Sequence, residues 1–157
     1  MPGRANEVAI RPVKETDAAF VTRVARRLHP GPTASPRDPL LFQAYFEQLS
    51  PESLLTGAGS MAFIAEVNGM ATGIISAHLD VDYFTNHARL YVDTLAVAEE
   101  SEGHGIGKAL MHFIEDRGRE LGCHEIVLDV FVTNDRALDF YERCGYSADH
   151  IRMSKPL

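Results

Sequence analysis

The stretch Leu90 to Leu110, LYVDTLAVAEESEGHGIGKAL, decides how the rest of the chain is read. It reads as a buried strand, a short acidic loop, and a glycine cluster that opens directly into a helix. Gly103, Gly105 and Gly107 let the backbone pass close to a ligand with no Cβ in the way. A helix that starts there turns its unpaired N–H groups and the positive end of its dipole on whatever fills the gap. Those are the conditions for holding phosphate.

Downstream, Gly105 to Leu121 predicts an amphipathic helix with Ile106, Leu110, Phe113, Ile114 and Leu121 on one face, stopped by Gly122. Glu125 to Val132, EIVLDVFV, is dense in β-branched and apolar residues and predicts a strand buried on both faces. The strand–helix–strand unit over 90–132 implies a parallel pair joined by a right-handed crossover. Asn134 caps a further helix carrying Ala137, Leu138 and Tyr141 and closed by Gly145. Tyr146 to Leu157 reads as a final strand-like tail.

Upstream, MAFIAEV, the turn Asn68-Gly69 and MATGIISAHLDV predict a hairpin, followed by a strand over His87 to Val97. Val8 to Pro12 is a short β-favouring run. Thr16 is the expected cap of a helix with Phe20, Val21, Val24 and Leu28 at helical spacing. His29 to Pro39 is too proline-rich for regular structure. Leu40 to Leu49 predicts a helix with Leu41, Tyr45 and Leu49 on one stripe, and Ser50-Pro51-Glu52 a fresh helix start. The order is β-α-α-β-β-β-α-β-α-β, an α/β fold with a mixed central sheet flanked by helices, in one domain over 1–157.

Composition narrows the function. The net charge of −7 over 157 residues speaks against a nucleic-acid binder and favours a cationic small substrate. No apolar run approaches the roughly 18 residues of a membrane span, and the N-terminus has no apolar signal core, so a cytoplasmic protein is expected. Cys123 and Cys144 have no zinc-type spacing and read as reduced thiols; no metal is called for.

Two familiar phosphate loops fail. A dinucleotide loop needs a third glycine where Lys108 stands. A nucleoside-triphosphate loop needs glycine at Glu102 and Ser or Thr at Ala109. The remaining match, Leu95-Ala96-Val97, then Glu102-Gly103-His104-Gly105-Ile106-Gly107, resembles the GNAT N-acetyltransferase superfamily. A second block in register, Asn134 to Tyr146 (NDRALDFYERCGY), is similar to that family's Asn-x-x-Ala-x-x-Phe-Tyr-x-x-x-Gly-Phe/Tyr. The resemblance covers 61–157 well; the first 60 residues share only element order.

The resemblance implies acetyl-CoA as cosubstrate, lying between two parallel strands that end at Val97 and Val132. It assigns the pyrophosphate to the loop and first helical turn, Gly103, His104, Gly105, Ile106, Gly107 and Lys108. It assigns the pantetheine arm and thioester carbonyl to main-chain groups of Leu95, Ala96 and Val97, with Asn134 and Ala137 on the facing helix. Tyr141 matches the tyrosine that protonates the departing thiolate, a role suited to a phenol at neutral pH.

The base is left open. Tyr91-Val92-Asp93 resembles the Tyr-x-Glu of polyamine-type members, and strand alternation would place Tyr91, Asp93, Leu95 and Val97 on one face. Asp93 is the catalytic candidate, with His78 and His87 as alternatives. Asp80 and Asp82 are candidate acceptor-pocket residues or plain turn carboxylates. Phe42, Tyr45 and Phe46 could wall the acceptor, or equally be core or a dimer surface.

One departure stands out. Glu102 occupies a position that the family gives to Gln or Arg, and with Glu99 and Glu100 it would repel pyrophosphate, offset in part by Lys108 and a protonated His104. The implied activity is acetyl transfer to a primary amine of a small molecule or peptide by direct attack. The alternative is a CoA-binding regulatory or accessory module with little turnover. A homodimer paired through the C-terminal strand is the assembly considered.

Overall fold

The computed structural model describes residues 7–28 and 37–157. Most of the proline-rich segment from His29 to Pro39 lies outside the described residues. Five strands form one sheet in the order β1-β2-β3-β4-β5: Val8–Pro12, Met61–Val67, Met70–Val81, Ala88–Val97 and Glu125–Leu128. The first four pair antiparallel and β4 pairs with β5 in parallel, so the sheet is mixed as expected. Asn68 and Gly69 both take positive φ, the geometry of a two-residue hairpin turn between β2 and β3.

Helices α1 (Ala18–Ala25) and α2 (Pro39–Glu47) cover one face, and α3 (Ile106–Glu120) the other. Val21, Val24, Ile64, Ile74 and Ala96 fill the first layer. Ile75, Leu90, Val92, Ile106, Leu110, Met111 and Ile114 fill the second. Helix α3 lies close on β3 because residue 73 is glycine. A Cβ there would sit 2.9 Å from Ile106 Cγ2 and 3.0 Å from Leu110 Cδ1. Helix α4 (Asp135–Arg143) completes the set, with Asn134 Oδ1 accepting from the Ala137 N–H at 3.1 Å. Among the described residues no helix is long and apolar enough to cross a membrane.

Several local expectations are corrected. The strand expected over Glu125 to Val132 stops at Leu128 and is only half-buried. It is an edge strand with one partner, and Asp129 leaves the sheet to accept a hydrogen bond from Tyr91 and to approach Arg152 at 3.6 Å. Tyr146 to Leu157 forms no strand.

Entry into α1 is organised by Asp17 rather than Thr16. The Asp17 carboxylate accepts from the Lys14 N–H at 2.7 Å and from both terminal nitrogens of Arg11 at 2.8 Å. On α2, Leu41 and Tyr45 face solvent, while Phe46 packs against the core. Ser50 does cap, accepting from the Ser53 N–H at 3.1 Å, but the segment makes only a short 3-10 turn, Ser53–Leu55. On α3, Leu121 is exposed and Met111 is fully buried in its place.

Candidate active site

The site is built where β4 and β5 part. Their parallel register runs from Arg89–Glu125 to Val92–Leu128 and ends there, while β4 continues to Val97. On an interior strand alternate amide groups point to opposite neighbours. From Asp93 to Val97, the groups turned away from β3 therefore have no strand partner. An open row of N–H and C=O groups beside a parallel edge suits the amide-rich arm of a pantetheine; Leu95 and Val97 lie on it, whereas Ala96, expected there too, turns its groups to β3.

The same strand leads into the glycine loop. A short turn, Glu99–Ser101, is followed by Gly103 and Gly105, both with positive φ. Gly105 is the N-cap of α3, so the N–H groups of Ile106, Gly107 and Lys108 head the helix without intrahelical partners. A Cβ at Gly103 or Gly105 would meet nothing within 4 Å, so these glycines serve backbone conformation. Gly107 has a different reason. A Cβ there would lie 3.2 Å from Phe140 Cζ, so it is the seat for α4. His104 and Lys108 are exposed on this loop and first turn.

Phe140 and Tyr141 meet edge-to-face at 5.1 Å, and Tyr141 meets Tyr146 in the same way at 5.9 Å. Tyr146 in turn donates to Glu115 Oε1 of α3 at 3.0 Å. Tyr141 is thus wedged between α4 and α3, and burial pushes its phenol up to about 12, with the neighbouring Cys144 adding to the rise. A phenol so placed stays protonated at neutral pH. Burial also raises the thiols of Cys123 and Cys144, which gives neither the character of a nucleophile.

The acidic loop is not free to repel an anion. Glu102 bonds Arg27 of the turn after α1 and, at 2.6 Å, Arg136 of α4. Arg27 also reaches Glu99 at 3.4 Å, and Arg23 pairs with Glu100 at 2.7 Å. Three carboxylates therefore face three guanidinium groups, and the loop is locally neutral. The Arg136 bond leads in holding the Glu102 carboxyl below the usual carboxylate range, and the Arg27 charge adds to it. The two arginines that pair with Glu102 lie 75 and 34 residues away from it in the chain. Nothing in the sequence pairs those partners.

Strand alternation fails at Asp93. The β3–β4 register pairs Ser76 with Thr94 and Ala77 with Val92, which leaves Asp93 as the extra residue of a β-bulge. Leu95 and Val97 pack on the α3 side with Leu90 and Val92. Asp93 and Thr94 instead line a cavity of about 570 Å³ on the α1–α2 side, together with Ser76, His78, Tyr45 and Gln48. Asp93, Leu95 and Val97 therefore do not share a face.

At that cavity Asp93 Oδ2 lies 2.8 Å from His78 Nδ1, and the His78 ring stacks on Tyr91 at 5.2 Å. Ser76 is fully buried, and its hydroxyl has no hydrogen-bond partner. His87, the other base candidate, sits at the far end of β4 stacked on His124 at 4.1 Å. Asp80 and Asp82 both bind Arg89, at 2.8 and 3.1 Å, and brace the β3–β4 hairpin. Of the three aromatics on α2, Tyr45 lines the cavity, Phe42 packs on Phe131 at 5.6 Å, and Phe46 joins the core.

A mixed sheet that splays beside a glycine-headed helix, with an opening between two parallel strands, is an architecture shared with solved acetyltransferases. The sequence matches the acetyltransferase (GNAT) family over residues 22–146, and the chain belongs to that family. An uncharacterised N-acetyltransferase of Methanocaldococcus jannaschii is 36% identical over 106 residues, which span 64% of each chain. Glucosamine 6-phosphate N-acetyltransferase of Arabidopsis thaliana is 29% identical over 91 residues, 57% of this chain and 59% of that protein. These alignments span less than two thirds of the relatives' lengths. A solved putative acetyl transferase of Pyrococcus furiosus, 26% identical, superposes with a TM-score of 0.77 over 96% of this chain and all of its own.

Proposed function

We propose that the protein is an N-acetyltransferase that moves an acetyl group from acetyl-CoA to a primary amine of a small molecule by direct attack. The observation that carries this reading is the stretch Asp93 to Val97, unpartnered on its β5 side and leading into the glycine loop at the head of α3. The donors present fit the group. Main-chain amides line the path an amide-bearing arm would take, and helix-head N–H groups in a locally neutral loop suit a pyrophosphate.

When bound, acetyl-CoA supplies the activated acyl group and a thiolate leaving group. The chain supplies the rest. Main-chain groups of Leu95 and Val97 orient the acyl end, and an N–H aimed at the acyl oxygen stabilises charge that develops there. Loop and helix-head groups from Gly103 to Lys108 hold the phosphates. Asn134 and Ala137 fix the facing helix, and the Tyr141 phenol, kept protonated by burial, gives the departing sulfur its proton.

The reading of a CoA-binding module with little turnover was favoured by Glu102. With Glu102 held by Arg27 and Arg136, that feature no longer speaks for it. The name of the plant relative puts glucosamine 6-phosphate among the acceptors to test. Thiol release from acetyl-CoA across a panel of amines, with product masses, tests the proposal. Release with at least one amine and a mass gain of one acetyl group is expected. No release with any amine, while acetyl-CoA still raises the melting temperature, would favour the binding module.

A further inference from the structure

The cavity on the α1–α2 side carries chemistry that acetyl-CoA binding does not use. Three of its hydroxyls already spend their protons within the protein. The Thr56 hydroxyl is donated to the Glu52 carbonyl at 3.2 Å, and the Ser60 hydroxyl to the Thr56 carbonyl at 2.9 Å. Ser53 Oγ is donated to the Ser50 carbonyl at 3.0 Å. Each of these oxygens can only accept from a ligand. Asp93 adds a carboxylate, and among the described lining residues there is no lysine or arginine. The Ser76 hydroxyl beneath the cavity has no partner in the protein and is itself closed off from solvent.

The imidazole is oriented for one task. A carboxylate can only accept, so His78 Nδ1 carries the proton in the 2.8 Å contact with Asp93, and the free lone pair is on Nε2. The ring is fixed by stacking on Tyr91, whose hydroxyl is held in turn by Asp129. Other charged or titratable groups near His78 are Asp80 on its own strand, which is engaged by Arg89, and Tyr45 on α2. The 3-10 turn over the cavity brings only Ser53, Leu54 and neighbouring hydroxyls.

Resting on the acetyl-transfer reading, we infer that this cavity holds the acceptor and that His78, rather than Asp93, is the base. The acceptor is a primary amine rich in hydrogen-bond donors and free of phosphate or carboxylate. His78 Nε2 takes one ammonium proton. The nitrogen lone pair then forms the N–C bond to the acetyl carbon, and the C–S bond breaks with its pair leaving on sulfur. Sulfur takes the Tyr141 proton. A second amine proton restores Tyr141 through solvent, and the amide keeps the third. Asp93 is a positioning residue, acting through His78.

The test compares wild type, His78→Gln and Asp93→Asn in thiol release as a function of pH. Acetyl-CoA-dependent melting is the control for fold and cofactor binding. The probes are glucosamine, a diamine and glucosamine 6-phosphate. His78→Gln is expected to lower kcat/KM about 10²-fold or more and to remove the acid limb of the profile. Asp93→Asn should lower kcat about tenfold and keep the limb. Glucosamine or the diamine should exceed the 6-phosphate in kcat/KM. If Asp93→Asn removes the limb while His78→Gln keeps it, or if the 6-phosphate is the best acceptor, the inference is overturned although acetyl transfer stands. A wild-type protein that releases no thiol with any amine would overturn the acetyl-transfer reading itself.

Discussion

The two faces of β4 are built by different means. Toward α3, the strand gives close apolar packing, with open main-chain amides at its β5 edge and the glycine loop beyond; toward α1 and α2, side chains from four separate segments surround a cavity. Asp93 is the hinge between the two. One extra residue in the strand turns Leu95 and Val97 to one side and leaves Asp93 and Thr94 on the other. The difference teaches that groups common to every peptide serve the part of a ligand that does not vary, whereas a choice of acceptor has to be written in side chains.

Removing a proton donor on the α3 side should have the largest effect. Tyr141→Phe is expected to lower kcat by about 10²-fold or more while leaving the KM for acetyl-CoA nearly unchanged. Unchanged turnover across the amine panel would remove Tyr141 from the chemistry. Next comes the packing that seats α3. Gly73→Ala pushes a methyl group against Ile106 and Leu110, both buried, and should cost about 1–3 kcal/mol in denaturant unfolding. An unchanged midpoint would mean that α3 can shift at little cost.

The α1–α2 side is tied to the sheet by charge, so it should loosen in acid. The Arg11 hydrogen bond leads in holding Asp17 below its ordinary value, with the Lys14 N–H adding to it. A depressed carboxyl contributes stability that is fully present above the ordinary carboxylate range and is lost as pH falls through the lowered folded value. Asp17→Asn should flatten that acid dependence and cost about 2 kcal/mol at neutral pH, read from unfolding curves at several pH values.

Much of the α3 side was legible in the sequence because its signals are local. Gly103 and Gly105 sit at a helix head, Asn134 caps three residues on, and Phe140-Tyr141 follow at helical spacing. The α1–α2 side was not legible for the same reason turned round. A bulge is a mismatch between two strands, and neither strand alone records it, so plain alternation put Asp93 on the wrong face. Ser76, His78 and Asp93 meet only through pairing of β3 with β4, and Ser53, Thr56 and Ser60 only through the fold of α2 over them. Gly73 read as one small residue in a strand; its partners, Ile106 and Leu110, lie more than thirty positions away. The tail after Tyr146 has a β-favouring local pattern, yet it pairs with no strand of the sheet, not even at the free edge of β5.

Smaller effects separate the two faces more finely. Ser76→Ala should leave the KM for the amine and the melting temperature nearly unchanged, since it deletes a hydroxyl that has neither a partner nor exposed surface. A lower melting temperature with an unchanged KM would make Ser76 structural. Glu102→Gln should tighten acetyl-CoA binding by less than about threefold at physiological salt, because exposed paired charges are screened and individually weak. A gain of tenfold by calorimetry would mean that Glu102 opposes the phosphates directly despite its two arginines.

A crystal structure with CoA and a bound amine tests the division of labour most directly. The account predicts pyrophosphate oxygens within hydrogen-bond reach of N–H groups between Gly103 and Lys108, and the pantetheine amides along Asp93 to Val97. It places the amine nitrogen in the cavity of Ser76, Thr94 and Asp93, within reach of His78 Nε2. An amine that approaches from the α3 side, with the cavity left to water, would contradict it.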